Sequence, residues 1–166
     1  MDDNPRLTIR PALHADWIGM WPIFQSVVAT GTTYVFGEET REDEARPYWF
    51  GSGIQSWVAE TDREVVGFYK LIPNRRDLGS HVANASFMVD PRCQGRRIGE
   101  ALGRHCLAEA KRAGYLSMQF NFVVSTNTAA VALWRKLGFE IVGTLPKAFR
   151  HRERGLVDAY VMYRFL

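Results

Sequence analysis

The stretch VDPRCQGRRIGEAL, residues 89–102, decides the fold because it joins an apolar strand-like run directly to a helical pattern. The strand signal stops at Asp90-Pro91, and the connecting segment is rich in glycine and arginine. A strand that enters a helix through such a loop points several backbone N–H groups at one spot, where the helix dipole adds partial positive charge. The stretch therefore predicts an anion site suited to a pyrophosphate. A plain strand–helix turn with solvated arginines is the alternative.

Outward from this stretch, the chain predicts the element order β-α-α-β-β-β-α-β-α-β-β. The helical pattern over 97–113 ends at Gly114 and joins two strands as a βαβ crossover, which predicts parallel pairing there. The earlier strands read as antiparallel hairpins, one of them around a turn at 61–63. Within the first helical pattern, Pro22 predicts a break or a kink. A mixed sheet with helices on both faces follows.

Composition excludes several classes of protein. At 166 residues the chain fits one domain, 1–166, and the net charge of +3 is too small to require a nucleic-acid partner. No apolar run approaches the roughly 20 residues that span a bilayer. The start, MDDNPRLTIR, has no secretory signal pattern, so a cytoplasmic location is expected. Two cysteines and four scattered histidines lack metal-ligand spacing, so no metal is expected.

A second segment, NTAAVALWRKLGF at 127–139, follows the strand after the crossover helix. Together with QGRRIG at 94–99, it resembles the GNAT superfamily of acetyl-CoA-dependent N-acetyltransferases. The loop of that family reads Q/R-x-x-G-x-G/A, and its later helix reads N-x-x-A-x-x-L-Y/W-x-x-x-G-F. The resemblance covers nearly the whole chain. It implies the GNAT fold, an α/β fold with a mixed, mostly antiparallel sheet, a splayed central pair of parallel strands, and helices on both faces.

The resemblance also implies acetyl-CoA as co-substrate. Loop amides would hold the pyrophosphate, and the pantetheine arm would pair with the strand before the loop like an added strand. The implied cofactor-binding residues are Met88, Val89, Gln94, Gly95, Arg96, Arg97, Ile98, Gly99 and Asn127. Arg97 stands where the family usually has its first loop glycine. Because a left-handed conformation costs an L-residue about 1–2 kcal/mol, we expect Arg97 to be right-handed.

Two residues that the family commonly uses in catalysis are missing from their usual positions. The strand HVANASFMV lacks the glutamate base, and Trp134 replaces the tyrosine that donates to sulfur. Catalysis is therefore expected to depend on positioning, a water relay or unusual residues. Asn84 and Asn121 lie on the two strands that should diverge around the acetyl group, and an amide there can bond an amine, a carboxylate or the thioester oxygen. Each could instead be a structural asparagine.

A narrower resemblance concerns NASFMV, MQFNFVVSTN and the C-terminal tail, which look like the fungal azetidine-2-carboxylate acetyltransferases and their bacterial relatives. In that group, asparagines that match Asn84 and Asn121 contact the substrate. The resemblance implies a small amine next to a carboxylate, such as an amino or imino acid. The candidate catalytic residues are Asn84 and Asn121, and the candidate substrate-binding residues are Asn84, Asn121, Phe122, Asp158 and Tyr160.

Two other functions stay open at this level. A non-catalytic acyl-CoA sensor or interaction module would explain the missing glutamate and tyrosine. A protein N-acetyltransferase would need an open acceptor groove, whereas the aromatic-rich first helices favour a closed pocket. A homodimer is compatible with the family, and no membrane or nucleic-acid partner is expected.

Overall fold

Seven strands form one sheet in the order β1-β2-β3-β4-β5-β7-β6, in a computed structural model that describes residues 6–166. The strands are β1 (Thr8–Pro11), β2 (Gln55–Thr61), β3 (Glu64–Pro73), β4 (Val82–Val89), β5 (Ser117–Val124), β6 (Glu140–His151) and β7 (Gly155–Phe165). The helices are α1 (Trp17–Val28), α2 (Glu42–Phe50), α3 (Ile98–Arg112) and α4 (Thr128–Lys136). The predicted element order and mixed sheet are confirmed. The first half of the MDDNPRLTIR segment lies outside the described residues.

The strands β4 and β5 form the parallel pair that the crossover helix α3 predicts. They pair only at Val82–Ser117 and Ala83–Met118, and then diverge. All the other neighbouring strands are antiparallel. The splayed central pair is thus confirmed, and it leaves a gap between the second halves of β4 and β5.

Each face of the sheet buries its own apolar cluster. Helices α1 and α2 pack against Val58, Phe68 and Met88 on one face, whereas α3 and α4 cover the other face. On that second face α3 lies very close to β3, because a Cβ atom on Gly67 would come within 3.1 Å of the Leu102 side chain. This close packing fixes the first turn of α3 beside the end of β4.

The backbone of Arg97 contradicts the expectation of a right-handed conformation. Arg97 has φ 59° and ψ 16°, which is left-handed, and it occupies the N-cap position of α3. Gly95, two residues earlier, also has a positive φ of 78°. The loop reverses direction within a few residues to enter the helix, so the conformation that a family glycine would adopt is imposed on an arginine.

Pro22 does not break α1, so that part of the prediction is wrong. The helix continues from Trp17 to Val28 through an exposed Pro22. Its neighbours Met20, Ile23 and Phe24 are almost fully buried. Tertiary packing of this apolar stripe therefore outweighs the hydrogen bond that proline cannot donate.

Replacing Arg97 with glycine should stabilise the fold. The change removes the cost of a left-handed L-residue, and the extra freedom of glycine in the unfolded chain offsets only part of that gain. We expect the free energy of unfolding in denaturant to rise by about 0.5–1 kcal/mol. Arg96→Gly is the matched control, since Arg96 does not have a positive φ, and it should lower stability. Equal effects of the two changes would contradict the explanation.

Candidate functional site

A cavity of about 530 Å³ lies at the gap between β4 and β5. The loop 29–41 between α1 and α2 covers it on one side, and Trp134 of α4 lines it on the other. The cavity extends from Gln94 in the loop before α3 to Asn84 and Asn121. One continuous space therefore joins the predicted anion site to the predicted acceptor site.

The loop before α3 contains both paired and open backbone donors. The N–H groups of Gln94 and Arg96 donate to the Pro91 and Cys93 carbonyl oxygens at 3.4 Å, so the donors open to a ligand are those of Gly95, Arg97 and the first turn of α3. The N-cap residue Arg97 makes no side-chain capping bond, and the first-turn amides of a helix have no intrahelical acceptor. Gln94 to Arg97 are exposed, and a Cβ atom on Gly95 would meet no atom within 4 Å. The loop is thus an open cradle of N–H groups at the positive end of a helix dipole, and it fits a pyrophosphate.

The edge of β4 that faces the gap supplies a second set of backbone groups. Because backbone groups of a strand alternate in direction, Ala85, Phe87 and Val89 point towards the gap while Met88 faces β3. Next to this edge the cavity has apolar lining residues, among them Met88 and Val89. An extended arm can pair with this edge at Val89 as an added strand, whereas the backbone N–H and carbonyl of Phe87 are already bonded to the Tyr34 hydroxyl.

Asn127, the N-cap residue of α4, lines the same cavity. Its side-chain oxygen accepts a hydrogen bond of 3.2 Å from the Ala130 N–H and so caps α4. The amide nitrogen of Asn127 remains available as a donor towards the cavity that the residue lines.

At the acceptor end, Asn84 on β4 and Asn121 on β5 line the same cavity from opposite sides of the gap. The Asn121 side chain is held in place by two bonds. Its oxygen accepts from Gln119 Nε2 at 2.8 Å, and its nitrogen donates to Asn74 Oδ1 at 2.7 Å. One N–H of Asn121 is left, which makes this residue a fixed donor.

The lining of the cavity is neutral. Among the described residues that line it, none is Asp, Glu, His, Lys or Arg. Its polar groups are amides and hydroxyls, the hydroxyls being those of Thr30, Thr32, Thr33, Tyr34, Tyr48 and Ser86. The site can orient a ligand by hydrogen bonds but supplies no charged side chain to pair with it.

Residues 20–139 match the model of the acetyltransferase (GNAT) family. This chain belongs to that family. It is 34% identical over 112 residues to an L-amino acid N-acetyltransferase of Escherichia coli, covering 68% of each chain. It is 27% identical to an L-methionine sulfoximine/L-methionine sulfone acetyltransferase of Salmonella typhimurium, covering 85% of this chain and 84% of that protein.

Solved structures agree with this assignment. A GCN5-related N-acetyltransferase from Kribbella flavida is 43% identical with a TM-score of 0.92, covering 96% of this chain and 98% of the other. The yncA acetyltransferase of Salmonella typhimurium, solved with its cofactor acetyl-CoA, is 26% identical with a TM-score of 0.84, covering 96% and 94%. This GNAT protein is accordingly an acetyltransferase enzyme.

The remaining sequence-predicted residues of this GNAT enzyme fall into two groups. Phe122 lines the cavity, and Ile98 and Gly99 form the first turn of α3. Asp158 and Tyr160 on β7 do not line it. The carboxylate of Asp158 accepts from the Lys147 N–H at 2.8 Å, and Tyr160 packs against the apolar cluster under α3 and α4. The structure thus separates these two residues from the other candidates.

Sequence reasoning missed the residues that close the acceptor end. Ser86 could have been found, since it lies two residues after Asn84 and therefore shares its face of β4. Tyr34 lies in a loop without periodicity, and no sequence signal marks it. Arg152, in the turn between β6 and β7, donates to the Ala29 carbonyl at 2.6 Å and pairs with Glu38. This arginine fastens the loop 29–41 over the cavity.

Two further observations concern groups outside this cavity. In the part of the chain from residue 6 onwards, no three His, Cys, Asp or Glu side chains come together as metal ligands. None of the helices described there is long and apolar enough to cross a membrane.

Gly99→Asp should abolish the binding of acetyl-CoA, because it places a carboxylate among the amides that face the pyrophosphate. A Cβ atom at this position would lie 3.5 Å from Leu133 and 3.9 Å from Val89, so the fold should tolerate the change. Titration calorimetry with CoA measures the effect, and circular dichroism checks folding. Gly99→Ala is the matched control and should bind within a few-fold of the wild type. Unchanged affinity in a folded Gly99→Asp variant would remove the cofactor from this loop.

Proposed function

We propose that this GNAT enzyme transfers the acetyl group of acetyl-CoA directly to the amine of a small amino or imino acid. The observation that carries the proposal is the continuous neutral cavity that runs from Gln94, at the start of the loop before α3, to Asn84 and Asn121. The relatives from Escherichia coli and Salmonella typhimurium, named for action on amino acids or their analogues, support the same substrate class.

The acetyl donor would lie along the path described above. First-turn amides of α3 and the Gln94–Arg97 loop would hold the pyrophosphate, Met88 and Val89 would border the pantetheine arm, and Asn127 would donate to it. The dipole of α3 and the cationic Arg96 add attraction for phosphate. The acetyl group would then reach the acceptor end, between the splayed strands.

The acceptor end favours a ligand with no net charge. A free polyamine would need carboxylates around it, and a phosphorylated amine would need arginines, but the described lining residues contain neither. An amino acid is a zwitterion, and its carboxylate can accept from the fixed N–H of Asn121. Asn84, on the opposite wall, is then placed to accept from the amine, so the two amides orient the substrate.

The decisive experiment for this proposal is acetyl-CoA turnover with a panel of amino and imino acids, followed by mass spectrometry of the products. Acetylation of a free amino or imino acid supports the proposal. Tight CoA binding without turnover of any amine supports a sensor instead, and modification confined to peptide substrates supports a protein N-acetyltransferase.

Substitution of either asparagine should damage catalysis while the affinity for CoA is retained. Loss of one hydrogen bond to a charged group is worth roughly 1.5–3 kcal/mol, or about 10- to 150-fold in kcat/KM. Asn84→Ala should lose mainly kcat, and Asn121→Ala should mainly raise KM for the amine. Steady-state kinetics with the two substrates varied separately measure both effects.

Gln119→Ala provides a graded comparison, since it removes one of the two bonds that hold Asn121 and leaves the bond to Asn74. Its KM for the amine should lie between those of the wild type and Asn121→Ala. If both asparagine variants behave like the wild type, the acceptor binds elsewhere. Asp158 and Tyr160 then become the next candidates for acceptor binding. A cytoplasmic location, a homodimer and the single domain over 1–166 stay predictions.

A further inference from the structure

The hydroxyl group of Tyr34 makes an unusual pair of bonds with the backbone of β4. It donates to the Phe87 carbonyl oxygen at 2.6 Å and accepts from the Phe87 N–H at 3.0 Å. These are backbone groups that would pair with β5 if the two strands stayed together. One phenol therefore replaces a strand partner within the gap, and the loop 29–41 delivers it there.

The position of this phenol follows from the alternation of β4. Val89 and Phe87 are successive residues whose backbone groups face the gap. On the proposed function, on which this inference rests, the pantetheine arm pairs along this edge from Val89 inwards. Its next step along the strand is Phe87, where the Tyr34 hydroxyl lies. The thiol end of the arm therefore arrives next to Tyr34.

The other lining groups leave few donors for a departing thiolate. The indole of Trp134 has no acidic proton of use near neutral pH, and no described lining residue is charged. Among the hydroxyls, phenols are far stronger acids than those of serine and threonine. The two lining phenols are Tyr34 and Tyr48, and Tyr48 bonds to Ser86 Oγ at 2.7 Å. Of the two phenols, only Tyr34 bonds to backbone groups of β4 that face the gap.

We propose that Tyr34 is a catalytic residue that protonates the CoA sulfur. The amine nitrogen forms a bond to the acetyl carbon, the C–S bond breaks, and its electron pair goes to sulfur. The Tyr34 O–H turns from the Phe87 carbonyl oxygen towards sulfur, and sulfur takes the phenolic proton. The acylated nitrogen loses one proton, which returns to the Tyr34 oxygen through water or the hydroxyls of Ser86 and Tyr48, so that protons balance over one turnover.

The local contacts suit this role. Burial raises the pKa of the Tyr34 phenol well above its usual value, with the nearby Tyr48 phenol as the second cause. The proton is therefore present at neutral pH, and its release requires stabilisation of the phenolate. During transfer, the Phe87 N–H stays directed at the Tyr34 oxygen. A hydrogen bond to the charged form favours that form, so this N–H stabilises the phenolate as the proton leaves.

Tyr34→Phe tests the proposal, because it keeps the ring and removes the hydroxyl. We expect the single-turnover rate of acetyl transfer to fall by about 100-fold or more, the range of general acid catalysis. The dissociation constant for CoA and KM for the amine should stay within about threefold. Tyr163→Phe is the matched control, since it removes a comparable hydrogen bond, the 2.6 Å bond from the Tyr163 hydroxyl to Ser117 Oγ, outside the cavity. It should react like the wild type.

A second measurement separates acid catalysis from a structural role. Fluorinated tyrosines introduced at position 34 lower the phenol pKa in graded steps while keeping the hydroxyl bonds. The alkaline limb of the single-turnover rate should then move to lower pH in the order of phenol acidity. A merely structural hydroxyl would leave the pH profile unchanged.

A folded Tyr34→Phe variant with a rate within threefold of the wild type overturns the proposal, as does a pH profile that ignores fluorination. A parallel loss of CoA affinity overturns it too, because Tyr34 would then be a cofactor-positioning group. If the wild type itself turns over no amine, the proposed function fails, and that result is distinct from all of these.

Discussion

The indole of Trp134 packs across the gap between β4 and β5, and the shape of the site depends on it. Its ring centroid lies 4.8 Å from that of Phe87 on β4 and 4.7 Å from that of Phe120 on β5. The indole therefore bridges one aromatic side chain from each strand in the region where the two strands have separated. This packing in turn needs Gly103 on α3, where a Cβ atom would lie 3.2 Å from the indole. Packing between two helices thus places the indole that closes the gap on this face of the sheet.

The separation of β4 from β5 leaves backbone N–H and carbonyl groups without strand partners, and such groups cost free energy where they are buried. The chain meets this cost at Phe87 with one phenol from the loop 29–41. That loop is itself fastened at its other side, because the backbone N–H of Arg152 donates to the Gly31 carbonyl at 3.0 Å. A short series of contacts therefore couples the loop 29–41 to the turn between β6 and β7 on one side and to the edge of β4 on the other. Movement of the loop would change the acceptor end and the cofactor edge together.

The sequence was informative where local chemistry decides the structure. Strand and helix periods, the glycine loop and the capping pattern at Asn127 are local, and they predicted the element order and the parallel pair. The splay of that pair was implied by the family resemblance. The expectation of a right-handed Arg97 was wrong, because the path of the chain into α3 outweighs the local preference of an L-residue. Tyr34 and the isolation of Tyr160 depend on how distant segments meet in space. A strand residue can be assigned to a face by alternation, but a loop residue has no such rule. The sequence therefore pointed to the asparagines that line the cavity and not to Tyr34.

The neutral lining bears on how the amine becomes reactive without a carboxylate base. An ammonium ion that enters this cavity loses water and gains no opposite charge from the described lining residues. Desolvation disfavours the charged form of an amine, so its pKa falls on binding. The proton then passes more readily to water or to a hydroxyl, and the neutral amine that results is the nucleophile. A carboxylate placed here would reverse the effect by stabilising the ammonium ion. The missing glutamate is therefore consistent with catalysis in which burial of the amine, held by two amides, does part of the work of a base.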